Sequence, residues 1–138
     1  MHNKLNFISY LLALFLIMLL LVGCSQIKNI TSETTQANYR NLYETSKPGT
    51  FQMSYEGFEG SSTKTFEVDK GDKITFSYDS TVKEGALTMV INDPYGTTIA
   101  SLPAKKKGSL KIVSKGIGKI SMVITGKNTT GSFQISWK

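Results

Sequence analysis

Four stretches of this chain alternate apolar and polar side chains with a period of two, and that pattern restricts the fold more than any other feature. Ile74, Phe76 and Tyr78 alternate with Thr75, Ser77 and Asp79, and Leu87, Met89 and Ile91 enclose Thr88 and Val90. Ile120, Met122 and Ile124 form a third set, and Phe133, Ile135 and Trp137 a fourth. Side chains of a strand point to opposite faces in turn, so each set predicts a strand with one buried and one wet face. "DKGD" at 69–72, "DPYG" at 93–96, "KGIG" at 115–118 and "NTTG" at 128–131 interrupt the alternation with residues suited to turns. Strands are expected near 50–56, 63–68, 73–79, 86–92, 96–102, 108–113, 117–125 and 131–137. Turn signals at this spacing predict an all-β fold, a single antiparallel β-sandwich of about eight strands. No repeat is evident, and no helical period persists beyond a turn or two.

The beginning of the chain follows another rule. His2 and Lys4 precede an apolar run over 7–22 that only Ser9 and Tyr10 break, and the run ends in "LVGC" at 21–24. It is short for a bilayer span of about 20 residues and has the charged and hydrophobic regions of a secretory signal. The "LVGC" motif resembles the lipobox of bacterial lipoproteins. That resemblance implies a thioether-linked diacylglycerol on Cys24 and cleavage before it, placing the mature protein on the extracytoplasmic face of the cell membrane. Two acyl chains at about 0.8 kcal/mol per buried methylene anchor durably. The expected organisation is a signal peptide at 1–23, a lipidated cysteine and polar tether at 24–49, and a sandwich domain at 50–138. The tether, containing "NITSETTQANYRN", has no sustained apolar period and reads as flexible.

From Phe66 onward, "FEVDKGDKITFSY", "LTMVINDPYGTTI", "GIGKISMVITG" and "GSFQISW" follow one another in an order similar to small extracytoplasmic jelly-roll sandwiches of the GOLD-like and pre-peptidase C-terminal-like kind. These motifs are structural, and the resemblance implies a fold without transferring any catalytic residue.

The chemistry available to such a domain is narrow. The only histidine is His2 and the only cysteine is Cys24. Cleavage and acylation leave the domain with no imidazole, thiol or disulfide, and so without the commonest nucleophilic and metal chemistries. Ser-x-x-Lys occurs at Ser25, Ser61 and Ser80, without the partner motifs that accompany it in penicillin-recognising enzymes. Gly116 to Ser121 lacks the order of a phosphate loop. Asp69, Asp72, Asp79, Glu84 and Asp93 are potential calcium ligands at strand ends, although aspartate also favours turns for its own hydrogen bonds. Phe51, Met53, Tyr55 and Phe58 are assigned to the core in preference to a ligand-stacking strip. No cofactor, metal or catalytic residue is therefore expected, and the chain is not expected to be an enzyme.

Charge is divided unevenly. All ten acids lie between Glu33 and Asp93, whereas residues 94–138 carry eight lysines and no acid. This split predicts a dipolar domain. Lys105, Lys106, Lys107, Lys111, Lys115 and Lys119 are the candidate contacts for anionic head groups or wall polymers within reach of the anchor. Nucleic acid is not expected as a partner outside the cytoplasm, nothing identifies a protein partner, and the domain is expected to be a monomer. The expected role is a lipid-anchored, non-catalytic binding or interaction module at the cell surface. The alternatives are a protective immunity or exclusion lipoprotein, or an accessory subunit of an envelope hydrolase or transporter.

Overall fold

A computed structural model describes residues 29–138. The expected signal peptide, Cys24 and the Ser25/Lys28 pair lie outside the described residues. Seven strands make up the fold, with no helix among the described residues: β1 (Ile30–Asn38), β2 (Asn41–Lys47), β3 (Thr50–Val68), β4 (Lys73–Asn92), β5 (Thr98–Leu102), β6 (Lys107–Val113) and β7 (Gly118–Trp137). All pair antiparallel in the order β1-β3-β7-β4-β5, with β2 also on β3 and β6 also on β4.

That connectivity arises because three strands are long and bent. Residues 50–56 of β3 pair with β2 and 50–55 with 131–136 of β7, whereas 59–66 pair with β1 and 60–68 with 118–126 of β7. β4 divides in the same way, its first half against β6 and the end of β7, its second against β5 and the start of β7. Two five-stranded layers result. The first holds β2, β6 and one half each of β3, β7 and β4; the second holds β1, β5 and the other halves. The bends fall where register shifts interrupt the ladder, between Tyr55 and Gly60 and between Val82 and Ala86. Gly57 and Gly85 supply backbone at φ 63° and 69° there, which side-chain-bearing residues rarely adopt. A bulge lets a ladder continue while it changes direction. The glycine-rich stretches at 57–60, 83–85 and 126–131, expected to end strands, therefore bend them instead, and six expected strands are halves of three.

The expected strand phase holds. Ile74, Phe76, Leu87, Met89, Ile91, Ile120, Met122, Ile124, Phe133, Ile135 and Trp137 are all buried, as are Phe51, Met53, Tyr55 and Phe58. Phe66 in the second layer meets Phe76 and Trp137 in the first edge-on, at centroid distances of 6.0 and 5.0 Å. Each such side chain contributes about 1.5–3 kcal/mol on burial, so the interlayer core accounts for most of the fold's stability.

One expectation fails. Most of the stretch assigned to the tether is β-structure: 30–38 and 41–47 are the edge strands on β3, so the β-domain begins at Ile30 and not at residue 50. Tyr39, in the link between them, stacks on Phe58 at 5.0 Å. Apolar alternation does not mark these strands because most of their inward positions are polar. Glu33 and Thr35 lie opposite Lys64 and Ser62, and Glu44 reaches the same lysine, so the alternation carries no hydrophobic signal.

Candidate functional site

The outward surface of the first layer is a hydrogen-bonding face. Paired residues share a face of the sheet, so the register builds continuous rows across it. One row runs Thr45, Gln52, Gln134, Asp79, Lys107 through β2, β3, β7, β4 and β6. A second runs Lys47, Thr50, Ser136, Ser77, Ser109, and a third Tyr43, Ser54, Ser132, Thr81. Gln52, Gln134 and Ser77 are exposed, and Tyr43 stands out as a large ring. Two shallow hollows lie on this face. One of about 440 Å³ is bordered by Tyr43, Ser54, Lys83, Thr130 and Ser132, and one of about 180 Å³ by Ser77, Asp79, Lys107, Gln134 and Ser136. Lys107 approaches Asp79 at 3.7 Å, an exposed pair worth little to stability.

A larger cleft, about 580 Å³, opens at one end of the sandwich between the 93–97 and 114–118 loops. Its walls include Tyr95, Ile99, Val113, Lys111 and Lys115. The six lysines singled out in the sequence are therefore not one patch. Lys107 and Lys111 share one face of β6, Lys105 and Lys106 occupy the turn before it, Lys115 is in the loop after it, and Lys119 borders a separate hollow with Glu67 and Ile117.

The carboxylates are used locally. Asp72 accepts the Asp69 N–H at 2.8 Å, and Asp93 accepts the N–H groups of Tyr95 and Thr97 at 2.9 and 2.8 Å. No group of three or more His, Cys, Asp or Glu side chains that could hold a metal ion occurs among the described residues. Ser61 and Lys64 are three apart on one strand and point to opposite faces, which separates that Ser-x-x-Lys pair.

Lys64 itself is the least expected polar residue. Its side chain is 1% exposed, and its ammonium is enclosed between the edges of the two layers by Glu33 of β1 and Glu44 of β2, the latter at 3.1 Å. It also lies 3.9 Å from the centre of the Phe51 ring. Burial lowers the ammonium's pKa from 10.5 to about 8 and raises that of Glu44. Neither this clasp nor the polar rows were singled out in the sequence. Lys64 shares phase with Phe66 and Val68, which was a usable signal; the rows need the strand pairing.

No protein-family model matches the chain, and no curated protein does. Among solved structures it is similar to the pre-peptidase C-terminal domain of collagenase from Bacillus anthracis, with a TM-score of 0.52 and 20% identity over 64% of this chain and 87% of that one. It is also similar to TmCBM61, solved in complex with β-1,4-galactotriose, with a TM-score of 0.52 and 8% identity over 80% and 90% of the two chains. This chain has a β-sandwich fold of that kind. At such identities the likeness is one of fold.

Proposed function

We propose that this chain is a lipid-anchored, extracytoplasmic binding module that performs no chemistry of its own and takes a glycan-bearing polymer of the cell envelope on its first-layer face. The observation that carries the reading is the set of rows itself. Amide, hydroxyl and carboxylate groups are spaced by strand pairing at about 4.8 Å, a fixed array of donors and acceptors for sugar hydroxyls. Tyr43 offers a ring on which a sugar can lie, and Lys83, Lys107 and Lys111 supply charge for anionic substituents. The likeness to a module solved with a galactotriose supports the reading at the level of fold. The lipobox at 21–24 supports the anchor.

Isothermal titration of purified protein with neutral and anionic wall polysaccharides tests the binding. Gln134→Ala removes one hydrogen-bonding group worth about 1 kcal/mol, so it should weaken binding about fivefold, with Tyr43→Ala weakening it comparably. Unchanged affinity in both variants would remove the face from consideration. Fatty-acid labelling of wild type and Cys24→Ala tests the anchor, and label retained by the variant would refute it.

A further inference from the structure

The chain enters the sandwich at the end that carries its exposed apolar side chains. Ile30, the first residue of β1, pairs with Phe66, and the same end contains Val68 opposite Gly118 and Asn92 opposite Ser121. The 69–72, 93–97 and 114–118 loops therefore gather there. They are tied to one another. Gly71 N–H donates to the Ser114 carbonyl at 2.8 Å and Ser114 N–H to the Asp72 carbonyl at 2.8 Å. A Cβ on Gly118 would meet Pro94 at 3.0 Å, so the 93–97 loop rests on the backbone of its neighbour. From this braced end project Tyr95, 89% exposed, and Ile117, 79% exposed, with Val113 and Ile99 behind them. They are four of the six exposed large apolar side chains among the described residues; the other two, Leu42 and Tyr43, are on β2.

Covalent geometry limits how far this end stands from the anchor. Six residue steps separate Cys24 from Ile30, and at no more than about 3.6 Å per residue they span at most about 22 Å. The bends at the opposite end are a further strand length away, about 30 Å for nine residues. We infer that the domain stands on its 93–97 and 114–118 loops, with Tyr95 and Ile117 in the interfacial layer of the bilayer that holds the lipid on Cys24. The inference rests on the anchoring proposed above and names what meets this end of the molecule.

The chemistry fits a lipid surface. A tyrosine ring with its hydroxyl outward and an isoleucine on a loop tip suit a zone that is apolar below and wet above. Around the two tips the charges balance, Lys119 with Glu67 and Asp69 beside Ile117, and Lys111 and Lys115 with Asp93 beside Tyr95. The contact is therefore apolar, with little dependence on salt or on anionic lipid. Standing in this way turns the polar rows toward the space beside the domain, clear of the membrane.

Site-specific labelling of the full lipidated chain in vesicles tests the arrangement. Cys24 is the only cysteine, and the proposed anchor ties up its sulfur as a thioether, so Tyr95→Cys, Ile117→Cys and Lys127→Cys each accept a single fluorophore. Lys127 is exposed at a far bend and serves as reference. Labels at 95 and 117 should be quenched by lipid-borne quenchers and shielded from iodide, equally on phosphatidylcholine and on phosphatidylglycerol-containing vesicles, and the label at 127 should show the reverse. An intact mass carrying the lipid adduct, with all three labels open to iodide, would overturn the inference and leave the anchoring in place. A mass without the adduct would refute the anchoring, and this orientation with it. Labels at 95 and 117 shielded from iodide but not quenched from the lipid would mean that a protein covers these loops, and would also overturn it. So would quenching confined to anionic vesicles and abolished by salt, which would assign the contact to the lysines.

Discussion

Lys64 has its methylene stem and its charge inside the sandwich, and the two ends of that side chain have different energetic consequences. Burying an ammonium costs several kcal/mol unless counter-charges accompany it, and here they come from two strands that are not neighbours in the sheet. Glu33 and Glu44 retain 36% and 28% of their side-chain exposure, so without Lys64 they can hydrate; Lys64, at 1%, cannot. Combined Glu33→Gln and Glu44→Gln should therefore destabilise the domain by about 3–5 kcal/mol, and Lys64→Met by much less, as denaturant titration of both variants will show. The depressed pKa has a sign of its own. The unfolded chain keeps the Lys64 proton up to its ordinary pKa of 10.5, whereas the folded chain releases it at about 8. Between those values the unfolded state binds more protons, so stability rises with pH. The gain from pH 8 to about pH 9.5 is about 1.5 kcal/mol. Above about pH 10 the half-buried Tyr39 and the buried Tyr55, whose pKa values burial raises, act in the opposite sense and close the window. Melting curves across this range should show the rise in wild type and not in Lys64→Met.

At the scale of the element, the N-terminal strands determine whether the sheet has an open edge. β1 covers residues 59–66 of β3, and without it a row of unpaired N–H and C=O groups faces solvent. A chain truncated to start at Ala37 loses Glu33 and most of β1. It should self-associate by light scattering and melt lower than one starting at Asn29; equal behaviour would show β1 to be dispensable. Strand phase is tested inside the core. Met122 is a poor position for this because it lies opposite Lys64, where a new carboxylate finds a counter-charge. Ile135 has no such neighbour in the register, and Ile135→Asp should unfold the domain. The all-β class and the inward faces of β3, β4 and β7 were legible in the sequence because apolar alternation reports burial directly. β1 and β2 were not, since Glu33 and Thr35 of β1 face Lys64 and Ser62 and Glu44 of β2 reaches the same lysine, so little apolar alternation marks them. Whether a glycine ends a strand or bends it depends on the ladder continuing beyond it, and local sequence does not carry that information. The same limit hid the polar rows, whose residues come from five strands and meet only through the register.

For the molecule as a whole, the separation of charge along the chain does not survive folding. The acid-bearing β3 and β4 flank the lysine-bearing β7, and β6 pairs with β4. Glu67 thus lies opposite Lys119 and Asp79 opposite Lys107, while Glu59 accepts the Asn128 N–H. A domain expected to be dipolar instead intermixes its charges, leaving a net positive molecule without one dominant basic patch. Screening acts over about 8 Å at physiological salt, so an anionic polymer senses such a surface as scattered lysines. Charge reversal should then matter through the total and hardly through the location. Lys105→Glu, Lys106→Glu and Lys107→Glu combined change the net charge as much as Lys83→Glu, Lys127→Glu and Lys138→Glu combined. On a polyanion column both triple variants should elute at the same salt concentration, below that of wild type. Markedly earlier elution of the 105–107 variant would mean that these three adjacent lysines form a directional patch after all.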